Sequence, residues 1–470
     1  MDRRDSRGKG HDRGNNGDKL HRVVSIASSA SLVSVSLQQE PIHGECQALC
    51  PLKEEQERRA THELSRFECP NENVPFLVAV KKYRRAAAGR DVFIASALRP
   101  APVLLRTLRH LFTTVLQWPQ SGFDSCLPTV NATLQPLEAR PNEFLALYYF
   151  VNDRVRSVRQ DFTVQRIESV SLMIALQQIA RFYLVARLLS VQLLGDGNSA
   201  QDWSDKLNDE QLVSALSQLR ALYGRHKLND VDQDVVPELQ NAGEFVAYDV
   251  LLQIDKPQDV AWMLLKLSSK LRGLPMVQRA LRTFVAFQTD DYHAFFVEFN
   301  AMTVLERAAL LHHLSKVWTR SLRMMNKAFG KQDRFPLETL ARWMNLVGPQ
   351  STGNGDELAA ILCEALDIHT QRCPHERPST RGDASNVADC WEHIDQVADH
   401  DASRSATKPS AYGFAQFKVA PLHDQLDSNA VKLLLRDVAQ RLMDNPDAAP
   451  LTATDWIMGT STSTDQADAT

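Results

Sequence analysis

The chain has 470 residues, a formal net charge of −4 and 44% hydrophobic residues, enough for a large core or roughly three units of about 150 residues. Glycine is scarce for a tight-turn all-β fold, while recurrent Leu, Ala, Arg and Gln favour helices. Seven Cys, odd in number and irregularly spaced, argue for reduced thiols of the cytosol or nucleus rather than a disulfide framework.

Residues 1–40 are polar, Arg/Gly-rich and then Ser-rich, and read as a disordered basic tail. Arg3, Arg4, Arg7, Lys9 and Arg13 suit RNA or a nuclear address, but Asp2, Asp5, Asp12 and Asp18 dilute them, so a solvated tail is the preferred reading. No apolar signal-peptide core is visible there. In GECQALCPLKEEQERR (44–59), Cys46 and Cys50 have no common zinc-finger spacing, even with His43, His62 and Cys69 nearby. A turn ending at Pro51 and a charged helix from Glu54 to Phe67 is the preferred reading. VKKYRRAAAGRD (80–91) reads as a surface loop with its cations in water. Pro100 and Pro102 start a helix carrying Val103, Leu104, Leu108, Leu111 and Phe112.

The stretch 142–166 carries Phe144, Leu147, Tyr148, Val151, Val155, Val158 and Phe162 at helical period, which predicts one apolar stripe. Arg154 and Asp161 flank that stripe, where a half-buried charge must find a partner. On the far side, Asp153 and Arg156 are spaced for an i,i+3 pair. Glu168–Leu194 predicts a second long helix. Its Gln177, Gln178, Arg181 and Arg187 argue for a buried core helix over a membrane span. Gly195–Asn198 breaks it, and Asn208 is expected to cap a helix to about Arg225. Helices then fit 238–253, 258–272, 275–288 and 291–300, with loops short enough for antiparallel neighbours and no strict repeat period. The expected class is all-α: an irregular helical-repeat solenoid over 41–300.

Met302–Leu346 is basic. Lys316, Arg320, Arg323 and Lys327 fall on one helix face, followed by Lys331 and Arg334. Such a stripe suits phosphate neutralisation, with a solvated face or an acidic partner as the alternatives. Short helices over 335–346 and 356–366 suit a winged-helix module across 301–370, although no strand pair for its wing is evident. Residues 371–420 are expected to be a flexible linker; Cys373, His375, Cys390 and His393 within it lack a metal-site spacing. An amphipathic helix is expected at 426–443, within a unit 421–445, either docked on the solenoid or offered to a partner, and 446–470 are expected to be a disordered tail. No P-loop, nucleophile elbow, zincin or kinase motif occurs, and the adjacent His312 and His313 point to different helix faces. No catalytic residue, metal ligand, cofactor, small-molecule substrate or membrane contact is expected.

Several blocks together resemble the Sac-three/GANP domain family. GECQALCP (44–51) resembles its G-x-C-x-x-M-C-P opening, with Leu49 in place of Met. VKKYRRAAAG (80–89), LRPAPVLLRTLRHL (98–111), FVNDRVRSVRQDFTVQ (150–165), Arg181-Phe182 and NAGEFVAY (241–248) follow in the family order, across about 42–368. The resemblance implies a PCI-like helical repeat packed on a winged helix. It also implies a non-enzymatic scaffold of the TREX-two complex in nuclear mRNA export, with a PCI-type subunit and a small acidic peptide as partners. RNA or DNA would bind the basic winged-helix surface through Lys316, Arg320, Arg323, Lys327, Lys331 and Arg334. Asp153, Arg154, Arg159 and Asp161 fall on signature positions with a structural role. Nuclear-pore docking is part of the family role, but FG repeats and a long C-terminal helix are not seen. A short paralogue at the centrosome or spindle is therefore the alternative.

Overall fold

In a computed structural model the described residues are 42–69, 77–85, 94–116, 140–194, 203–225, 241–347, 355–373, 412–418, 422–423, 426–443 and 453–459. The chain divides into Met1–Ile42 and His43–Thr470, and everything below lies in the second. The expected tail 1–40 and residues 374–411 of the expected linker, with His375, Cys390 and His393, fall outside the described residues.

The described residues build an all-α solenoid. Its first helix, α1, is Leu52–Ala60, shorter than the expected 54–67. His62 turns into the left-handed region (φ 55) and a 3₁₀ turn, Arg66–Glu68, follows. The break swings Glu68 into the interior, where it is fully buried. The helix after Pro100 forms as α2, Ala101–His110, and runs on through a π turn, Leu111–Val115. The signature stretch forms α3, Arg140–Val164, and every residue of its predicted apolar stripe is buried.

α4, Val170–Leu193, is long and apolar enough to cross a membrane, yet protein covers it nearly all round. It packs on α2, α3 and α5, the last spanning Asp205–Arg225. Asn208 does not cap α5: Ser204 accepts from Leu207 N instead. Asn208 is buried in the first turn, accepting from the Tyr148 hydroxyl (3.1 Å) and donating to Tyr183 O (3.1 Å). An amide can serve both partners at once, so tertiary contact overrode its cap preference.

Next come α6, Ala242–Leu252; α7, Pro257–Lys266; α8, Ser269–Gly273; α9, Pro275–Gln288; and α10, Tyr292–Asn300. The helix expected over 258–272 is thus two. Leu267 is extended and Ser268 caps the second piece by accepting from Leu271 N. The long α11, Val304–Ala328, opens with a capping box of Thr303 and Glu306 and packs on α4 and α6.

After α11 the chain forms β1 (Arg334–Pro336), α12 (Leu337–Trp343), α13 (Gly355–Glu364), β2 (His369–Cys373) and β3 (Tyr412–Gln416). The strands make one antiparallel sheet of order β1-β3-β2, with Phe335 opposite Ala415 and Thr370 opposite Ala415. The stretch read as a linker, 371–420, therefore supplies sheet residues at both ends. The strands are three to five residues long, too short to show a period of two.

α14, Ser428–Met443, docks on α4, α11 and α13, which resolves the choice left open by its sequence. Leu434, Leu435, Val438, Ala439 and Leu442 are buried, and Arg441 donates to Asn345 O (3.2 Å). Within the expected tail 446–470, Ala453–Met458 forms α15 against α4. Ile457 is fully buried there and Thr454 donates to Phe112 O (3.2 Å). One isoleucine and a tryptophan give too little pattern for a sequence-based assignment, but enough apolar area to hold one turn against a groove.

Candidate nucleic-acid interface

Arg154 and Asp161 of α3 face inward, onto the extended N-terminal segments rather than onto other helices. Asp161 is fully buried. It accepts from Lys81 Nζ (2.6 Å) and Arg99 Nε (2.8 Å), with the Arg99 amide at 3.4 Å. Arg99 also donates to Ser157 Oγ (2.8 Å) and Leu49 O (3.2 Å), and Lys81 to Ala97 O (2.6 Å). One turn on, Gln165 donates to Arg99 O (2.8 Å) and accepts from Gly44 N (2.8 Å). A β-carbon on Gly44 would lie 2.6 Å from Leu98 O, so the opening glycine is required by close approach.

Two turns earlier, Arg154 pairs with Glu68 (3.1 Å) and with Asp153. Glu68 also takes Arg58, Val80 N (2.9 Å) and Ser65 N (3.0 Å). Burial alone would raise the Glu68 carboxyl, but the two guanidiniums and two amides hold it below the ordinary carboxylate range. Segments 44–50, 65–68, 80–84 and 95–99 carry no α-helix or sheet, only single 3₁₀ turns at Arg66–Glu68 and Ala95–Ala97, so many of their buried backbone groups need side-chain partners. α3 supplies them. Lys81, read as solvated, is buried, and Asp153 pairs with Arg154 rather than Arg156. Arg154 and Asp161 thus fasten an extended N-terminal strap.

The remaining buried cations are equally committed. Arg181 makes a two-pronged pair with Glu244 (2.7 and 2.6 Å), joining α4 to α6. Arg187 binds Asp209 (2.9 Å) and Ala309 O (3.0 Å), joining α4 to α5 and α11.

The six residues of the basic stripe do not form a free row. Lys316 pairs with Asp255 (2.6 Å). Arg320 lies over the Phe287 ring, donates to Phe287 O (3.1 Å) and meets Asp290 (3.3 Å). Arg323 donates to His423 O (3.0 Å). Lys327 and Lys331 are exposed on α11 and the turn before β1, and Arg334 is half-buried on β1. Lys316, Arg320 and Arg323 are therefore engaged by neighbouring elements, a fact invisible in a stripe drawn on one helix. α13, the helix just before β2, carries Asp356, Glu357 and Glu364 and no Lys or Arg. Such a helix is electrostatically unsuited to enter a DNA groove.

Arg159, the last signature residue, differs from the others. Its guanidinium donates to Gln211 (3.3 Å), Ser214 (2.8 Å) and Gln218 (3.0 Å) of α5, all neutral. Arg156, one turn before it, lies 4.0 Å from the Tyr83 ring centroid. Gln160 donates to Arg84 O (2.8 Å) and Tyr83 N to Asp153 (3.2 Å), which sets KKYRR alongside this face of α3. Sequence reasoning missed this juxtaposition because its two halves lie about seventy positions apart; the run KKYRR was the only signal.

A profile of the SAC3/GANP family matches residues 49–369. The chain is 26% identical to SAC3 family protein B of Arabidopsis thaliana over 317 residues, 65% of this chain and 17% of that protein. It is 27% identical to SAC3 family protein 1 of Schizosaccharomyces pombe over 321 residues, 64% of this chain and 28% of that one. Protein xmas of Drosophila melanogaster is 25% identical over 258 residues, 54% and 11% of the two chains. The matched stretch is thus less than a third of the length of each relative.

Proposed function

The chain belongs to the SAC3/GANP family, and on that premise we propose that it is a non-enzymatic scaffold of nuclear mRNA export. It would hold a PCI-type subunit and a small acidic subunit, contact RNA or DNA, and associate with the nuclear pore. The observation that carries the scaffold reading is the use of the family's signature charges. Asp153, Arg154 and Asp161 bind backbone and side chains of a strap rather than lining a reactive cleft. We read α11-β1-α12-α13-β2-β3 as a winged helix, because its element order and the sheet order β1-β3-β2 suit one. Since α13 carries no cation, this module is better suited to a protein partner and to backbone contacts through Lys327 and Lys331 than to groove readout.

Affinity purification of the full chain followed by mass spectrometry tests the assignment. Recovery of a PCI-domain protein together with messenger ribonucleoprotein components is expected. Recovery of centrosomal proteins alone would favour the second reading, a short paralogue acting at the centrosome or spindle, and would sink the export role.

A further inference from the structure

Cations without a carboxylate partner also lie away from the stripe on α11. Among the described residues, Lys82, Arg85, Arg156 and Arg159 have no carboxylate partner. Arg159 is the unusual one. It is half-buried, held by three neutral oxygens of α5, and its Nε is buried without an acceptor. Burial and the neighbouring Arg156 charge both disfavour its charged form. A cation fixed in place and left uncompensated costs stability unless an external anion completes it. Nearby carboxylates are already committed: Asp153 to Arg154 and Tyr83 N, and Glu54 to Lys82 N (2.8 Å) and Arg84 (3.8 Å).

We propose that the face formed by Lys82–Arg85 and by Arg156 and Arg159 of α3 is a binding site for the phosphate backbone of single-stranded RNA. This rests on the nucleic-acid part of the reading above and moves the main contact to a different surface. Arginine forks match phosphate oxygens. Tyr83, stacked with Arg156, supplies an aromatic platform of the kind on which unpaired bases stack. An acidic protein is the less favoured occupant. The exposed large apolar residues Leu52, Val78 and Ile94 fall outside these segments, and none is found within 81–85 or 153–160 to act as an anchor.

The test is fluorescence anisotropy with labelled twenty-nucleotide oligo-uridylate, titrated with salt and competed with polyglutamate. The full chain is compared with the triple variant Lys82→Glu, Arg85→Glu, Arg156→Glu, with its Gln counterpart, and with Lys316→Glu, Arg320→Glu, Arg323→Glu, Lys327→Glu. The Gln set guards against misfolding, which circular dichroism monitors. The face variants are expected to weaken RNA binding tenfold or more. The Gln set should flatten the salt slope by about 2, as loss of three phosphate contacts requires. Loss in the α11 set with the face variants unchanged would overturn this site while leaving nucleic-acid binding intact. Polyglutamate displacing RNA at equal charge concentration would make the face an acidic-protein surface and overturn it as well. No RNA binding by the unaltered chain at low salt would overturn the nucleic-acid reading itself.

Discussion

Asp161 is the point at which α3 fastens two cations of the strap at once. Its two oxygens hold Lys81 and Arg99, and each of those cations also binds one strap carbonyl, Ala97 O and Leu49 O respectively. All three groups are buried or nearly so. Taking ions out of water is costly, and the pairs are sustained by their geometry and extra hydrogen bonds. Removing one partner is much worse than removing all, because the others stay buried and unpaired. Asp161→Ala is therefore expected to lower unfolding free energy by about 3–5 kcal/mol, read by urea denaturation. A loss below about 1 kcal/mol, the range of exposed pairs, would show that the strap is not held this way. The same reasoning separates Asp161 from Lys316, whose pair with Asp255 is half-exposed.

Among the elements, α14 shows how an amphipathic helix becomes a structural part. Leu433 and Leu434 are neighbours in sequence, 47% and 0% exposed respectively. Only the second faces α4, α11 and α13. Leu434→Ala is expected to cost about 2–5 kcal/mol through lost burial and a cavity, whereas Leu433→Ala should change stability by less than about 0.5 kcal/mol. Paired thermal melts decide this, and equal effects would mean that α14 is not docked in solution. α15 extends the same principle with one turn of helix on α4. Both late helices cover α4, whose apolar surface would otherwise face water.

For the molecule as a whole, His313 couples pH to the joint between α11, α6 and α9. Its ring is buried, with Nε2 3.2 Å from Leu252 O and its edge toward Phe287. Burial, with Arg187 and Lys316 nearby, pushes the imidazole down to about 4 despite Asp255. The folded state thus prefers the neutral ring, and the unfolded chain, near 6.5, takes up the proton first. Stability from this group is full above about pH 6.5 and is lost as pH falls toward about 4. The loss is roughly 3 kcal/mol at about 1.4 kcal/mol per pH unit. His313→Gln should flatten the dependence of denaturation midpoint on pH across that window; an unchanged slope would assign it to other groups.

Much of the helical framework was legible because helical periodicity is local. The stripe of α3 from Phe144 to Phe162, the apolar run of α4 and the buried face of α14 are written within one or two dozen residues each. The ordered family blocks were legible for the same reason. What the periodicity did not contain was the destination of a charge. That Asp161 binds Lys81 eighty residues away, or that Lys316 is taken by Asp255, follows only from the packed chain. Short strands such as Arg334–Pro336 and Tyr412–Gln416 likewise acquire identity from each other, since neither is long enough to show alternation alone. The sequence by itself determined the all-α class, the family and most helix boundaries. Tertiary structure decided which cations are neutralised inside the fold and which have no carboxylate beside them, because ion pairing depends on distance in space and helix formation on distance along the chain.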